Sequence, residues 1–86
     1  MTTRVELERT LSAMPGIDAV TVVGGLSLIA TVVSASFRQQ DEAVRQESVW
    51  RYLSDTIESS ELKNVEFIFT STPEKYAAVS ASSSVA

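Results

Sequence analysis

The side chains best suited to recognition in this 86-residue chain lie in one stretch: Phe37-Arg38, then Arg45-Gln46, then Trp50. Arginine offers a rigid fork of donors matched to carboxylates and phosphates. Glutamine offers a neutral donor and acceptor. Tryptophan is enriched at the energetic centres of interfaces. Together they can form a polar patch, at the start of a long helix, that docks a partner. The competing reading is a solvated helix face, with Arg45 paired to Asp41 and Trp50 at the rim of the core. Other candidates carry less. Asp55, Glu58 and Glu61 could gather a divalent cation, but no ligand loop accompanies them, and a solvated helix end is the better reading. Gly24-Gly25 reads as a turn rather than a phosphate cradle. Ser59-Ser60 and the serine-rich end offer hydroxyls for phosphorylation on composition alone.

Composition removes whole classes of chemistry. There is no cysteine and no histidine. Disulfides, thiolate ligation and thiol catalysis are thereby excluded, along with the commonest general base and transition-metal ligand. Only carboxylate, lysine, serine or tyrosine chemistry remains, and no constellation of those is visible. The expectation is a protein that is not an enzyme, without a cofactor or metal of its own. Seven basic against eleven acidic residues give a net charge of −4, which disfavours nonspecific binding of polyanions.

The positioning elements follow from pattern. Thr3-Arg4-Val5-Glu6 has capping-box spacing, and Leu7, Leu11 and Met14 share a helical face, predicting a helix over 3–14 that Pro15-Gly16 ends. Ile17 to Val23 is β-branched and reads as a strand. Gly24-Gly25 supplies positive φ for a hairpin, and Leu26 to Ser34 returns. Apolar residues on both faces of that second strand mark it as central. The uncharged stretch 19–37 is long enough to span a bilayer as a helix, but its glycines, hydroxyls and valines favour two strands of a sheet. After a loop holding Phe37, Asp41 can cap a helix over 42–58. Its buried stripe is Val49, Tyr52, Leu53 and Ile57, and the pairs Asp41–Arg45 and Glu47–Arg51 stand four residues apart. Val65, Phe67 and Phe69 alternate with Glu66, Ile68 and Thr70, the period-two signature of a strand. Thr72-Pro73 opens a short last helix near 73–79. The expected domain is 1–79, with 80–86 a flexible serine-rich tail. The fold class is α+β: a three-stranded mixed sheet with helices packed on one face, in the order α-β-β-α-β-α. The amino end does not read as a signal peptide, so a cytoplasmic location and no membrane are expected.

This order, with the segment from Val32-Val33-Ser34 through Phe37, Arg45 and Val49-Trp50, resembles the BolA-like family, whose fold is related to the type II KH fold. Thr70-Ser71-Thr72-Pro73-Glu74-Lys75-Tyr76 resembles the family's ending, so the likeness covers residues 4–77. It departs at three places. Gln46 stands where the family has a histidine, Gln39 where it has a glycine, and the loop between the first two strands, which carries a ligand in many members, is cut to Val23-Gly24-Gly25-Leu26. The resemblance implies a regulatory or interaction module with a monothiol glutaredoxin as protein partner. In the family that pairing shares a [2Fe–2S] cluster. Such iron needs thiolate or imidazole, and an amide oxygen at Gln46 is a poor replacement. The expected contact surface is Phe37, Arg38, Arg45, Gln46 and Trp50. The alternative is a weak nucleic-acid-binding or transcriptional regulator of the KH-like type. It is disfavoured because the chain has no GxxG loop and only Arg38, Arg45 and Arg51 to gather positive charge.

Overall fold

A computed structural model describes residues 1–78; the expected tail, 80–86, lies outside them. The first helix, α1, is Arg4–Ser12. Thr3 caps it, its hydroxyl accepting from the Glu6 amide at 3.1 Å. The capping box is only half formed. Glu6 accepts instead from the Thr2 hydroxyl at 2.9 Å, and Thr2 is buried. The helix ends at Ser12, short of the expected Met14, which still packs against the core.

Strands β1 (Ala19–Gly24) and β2 (Leu28–Val33) form the antiparallel hairpin. Gly24 pairs with Leu28, leaving residues 25–27 as the turn. Of the two glycines only Gly24 has positive φ, +113°, so the turn uses one left-handed position and not the expected pair. Helix α2, Glu42–Thr56, follows a 3-10 turn over Ala35–Gln39. It is capped by Asp41, whose Oδ1 accepts from the Val44 amide at 2.9 Å. A second 3-10 turn, Ser59–Asn64, leads into β3, Val65–Ser71. Residues 73–78 are helical. The uncharged stretch 19–37 forms the hairpin and the start of the first 3-10 turn, and no helix among the described residues is long and apolar enough to cross a bilayer.

The strand order is β1-β2-β3, with β2 central and parallel to β3. A parallel neighbour requires a crossover, which α2 supplies. Leu28, Ala30 and Val32 on β2 face α1 and α2 and are fully buried, with Leu7, Leu11, Val49 and Leu53 closing over them. The alternation expected for β3 breaks. Val65 and Ile68 both enter the core, while Phe67 and Phe69 are about half exposed, at 55% and 51%. The cause is a register shift: Leu28 pairs with Val65 but Ile29 pairs with Phe67. Glu66 is therefore an extra residue that resets the facing of everything after it.

The ends of β2 and β3 meet at Ser34, which is fully buried. Its hydroxyl donates to the Gly16 carbonyl at 2.6 Å and accepts from the Ser36 amide at 3.2 Å, while its own amide donates to the Ser71 carbonyl at 3.0 Å. One small polar side chain thus joins the exit of α1, the central strand and the edge strand. It sits where the 3-10 turn carrying Phe37 departs.

Candidate functional site

The candidate residues lie at the amino end of α2 and the 3-10 turn before it. The turn is held from beneath by Phe37, only 2% exposed. Phe37 is a core residue that supports the surface and contributes no area to it. Arg45 is also turned inward, with 18% of its side chain exposed. Its Nε donates to the Gln40 carbonyl at 2.9 Å, and a terminal guanidinium nitrogen donates to the Phe37 carbonyl at 2.7 Å. The guanidinium carbon lies 5.6 Å from the centre of the Phe37 ring, within cation–π range. The expected Asp41–Arg45 pair does not form. As N-cap, Asp41 aims its carboxylate at the open amides of the helix. Arg45 reaches back along the chain to carbonyls, and Glu42 is the carboxylate it approaches, at 3.8 Å. The other expected pair, Glu47 with Arg51, is present on an exposed face, where such pairs contribute little.

Gln46 joins α2 to β3. Its amide nitrogen donates to Glu42 Oε1 at 2.9 Å and to the Ile68 carbonyl at 2.8 Å. Its amide oxygen accepts from the Trp50 indole at 3.1 Å. Glu42 Oε2 in turn accepts from the Thr70 hydroxyl at 3.0 Å. The result is a closed network, Trp50–Gln46–Glu42–Thr70, with a branch to the β3 backbone. The Gln46 hydrogen bond, before all else, holds the Glu42 carboxyl below its ordinary value. Partial burial opposes this, while Thr70, Arg45 and Lys75 reinforce it. Trp50 is half-buried at the edge of the core, so its indole body packs while its N–H is held by the network.

Arg38 stands apart from this network. Its guanidinium pairs with Glu74 of the helical segment 73–78, tying the 3-10 turn to the end of the described chain. That hydrogen bond lowers the Glu74 carboxyl and raises Arg38. Of the five expected residues, the structure joins Gln46 to Trp50 directly, seats Arg45 over Phe37, and turns Arg38 towards Glu74. Glu42 and Thr70 were not among the candidates. The signal for Glu42 was its spacing of four from Gln46, the same spacing that links Gln46 to Trp50. Nothing local marked Thr70, which arrives from another element.

These donors do not fit an iron–sulfur cluster. Gln46 stands where the resembled family has a histidine, and both ends of its amide are engaged. It is neutral and hard where cluster iron takes thiolate or imidazole. No group of three or more aspartate or glutamate side chains converges as a metal site among the described residues.

An α–β–β–α–β order, with a mixed sheet β1-β2-β3 backed by α1 and α2, defines the BolA-like fold class. The structure of a BolA protein homologue from Coxiella burnetii superposes with a TM-score of 0.68, covering 90% of this chain and 99% of that one at 18% sequence identity. The chain has the BolA-like fold. No protein-family model matches its sequence, and no curated protein does.

Proposed function

We propose that this chain is a non-enzymatic interaction or regulatory module of the BolA type that does not ligate a cluster with its own side chains. The observation that carries the reading is Gln46. At the position of the family histidine stands an amide committed to Glu42, Ile68 and Trp50, in a chain with no other imidazole or thiolate to offer. What remains at this edge is a contact surface formed by Arg38 and Trp50, flanked by Arg45 and Gln46 and supported from below by Phe37. Its partner, following the resemblance, is a monothiol glutaredoxin in the cytoplasm that docks without receiving a ligand from this chain.

Calorimetric titration of the full chain with a monothiol glutaredoxin tests this, alone and under anaerobic cluster reconstitution. The expected result is binding that weakens at least tenfold in Trp50→Ala and Arg38→Glu, with no visible absorbance that depends on Gln46. Cluster absorbance lost on Gln46→Ala overturns the ligand argument. Binding unaffected by both surface variants overturns the contact surface.

A further inference from the structure

The helical segment 73–78 does not lie flat on the sheet. A cleft of about 340 Å³ opens between them, bordered by Thr31 of β2, by Phe69, Thr70 and Ser71 of β3, and by Lys75 and Tyr76 of the segment. The segment is pinned twice. Glu74 pairs with Arg38, and the Tyr76 hydroxyl lies 3.3 Å from that of Thr21 on β1. Thr72 caps its first turn, the hydroxyl accepting from the Lys75 amide at 3.3 Å. On the strand side, Phe69 is half exposed, and its ring is steadied by Phe67, stacked on it with ring centres 4.9 Å apart at 26°. Both walls are therefore set before a ligand arrives, which lowers the cost of ordering them on binding.

The lining combines two aromatic rings with hydroxyls and one ionised group, the Lys75 ammonium. Among the described residues Lys75 forms no ion pair. The carboxylate that feels its charge is Glu42, whose two oxygens already accept from Gln46 and Thr70. We propose that this cleft binds a small aryl carboxylate, its ring between Phe69 and Tyr76 and its carboxylate on Lys75. Aromatic walls favour a ring in offset or edge-on contact. An ammonium gives a carboxylate a charge-assisted hydrogen bond, and the Thr31 and Ser71 hydroxyls meet further polar atoms on the ligand. The volume sits at the lower end for small-molecule sites and suits about ten to fifteen non-hydrogen atoms. A single cation, in a chain of net charge −4, selects one negative charge over several. A ligand of this size is expected to bind with a Kd on the order of 0.1–1 mM.

NMR titration of the ¹⁵N-labelled full chain with indole-3-carboxylate tests the site, with indole-3-carboxamide as the neutral isostere. Saturable shifts are expected at the amides of Thr31, Phe69 to Ser71, Lys75 and Tyr76. The carboxamide and the Lys75→Met variant are each expected to bind at least about fivefold more weakly. Phe69→Ser abolishes saturation. Lys75 is exposed and Phe69 half exposed, so amides remote from the cleft stay at their wild-type positions in both variants. Trp50→Ala, at the seam between α2 and β3, leaves the affinity unchanged, which separates this site from the glutaredoxin surface. No saturable shift up to about 5 mM indole-3-carboxylate overturns the site. Shifts centred on Arg38 and Arg45 overturn it as well, because they put the anion on the other edge. Equal affinity for carboxylate and carboxamide, or full affinity in Lys75→Met, overturns the role of the ammonium and with it the ligand class.

Discussion

Both N–H donors and the carbonyl oxygen of Gln46 are engaged, and that makes its removal informative. Gln46→Ala strips the Glu42 carboxyl of the contact that lowers it most. The Glu42 titration, followed by carbon NMR of its side chain, is expected to move up towards its ordinary value. The same change leaves the half-buried Trp50 N–H without its acceptor, at a cost of about 1–3 kcal/mol measured by urea unfolding. Ser34 makes a second test. Ser34→Ala removes the hydrogen bond to the Gly16 carbonyl and the acceptor for the Ser36 amide. The same assay is expected to show a loss of about 1–3 kcal/mol. Position 46 stood out only through the resemblance, because an amide stands there where the family has an imidazole. It did not signal the network, because Ile68 and Thr70 belong to a strand that only the tertiary fold brings alongside.

At the scale of elements, the hairpin separates two neighbouring glycines. A Cβ at Gly24 would lie 2.1 Å from the Ser27 carbonyl oxygen, on a backbone at φ +113°. Gly24→Ala is therefore expected to destabilise by about 1–3 kcal/mol. A Cβ at Gly25 meets nothing within 4 Å, so Gly25→Ala is expected to stay within about 0.5 kcal/mol of wild type. Paired thermal melts of the two variants check both. The glycine doublet announced the turn but not which member bore the strain, since that depends on where the Gly24–Leu28 pairing stops. β3 shows the same limit. Its alternation marked a strand correctly, but strict period two would set both phenylalanines on the same face as Val65, which is buried. One extra residue, Glu66, reverses that outcome, and bulges leave no trace in apolar periodicity. The helices were legible to within two residues at each end, because Thr3 and Asp41 are chemically distinctive caps. The central position of β2 was legible because both of its faces are apolar.

For the molecule as a whole, acid is the informative perturbation. Glu42 and Glu74 both have lowered carboxyls in the folded chain. Each contributes stability that is fully present above the unfolded carboxylate value and is lost as pH falls through the lower, folded value. Urea midpoints are expected to hold from neutral pH to about 5 and to fall below about 4. The fall is shallower in Gln46→Ala, where Glu42 loses the largest of the contacts that hold it down and keeps those to Thr70, Arg45 and Lys75. With histidine absent from the sequence, no imidazole contributes a transition between pH 5 and 8.

Trp50 gives the molecule an optical property that its composition would not suggest. It is the only tryptophan, and its indole N–H is fixed by Gln46 at the seam between α2 and β3. The phenylalanines of β3 lie outside, and Phe37 is the one aromatic ring sealed within the otherwise aliphatic core. Intrinsic emission therefore reads the integrity of that single seam. A ligand or variant that parts α2 from β3 will shift the spectrum while backbone dichroism still reports a folded chain, so the two signals together distinguish local opening from global unfolding.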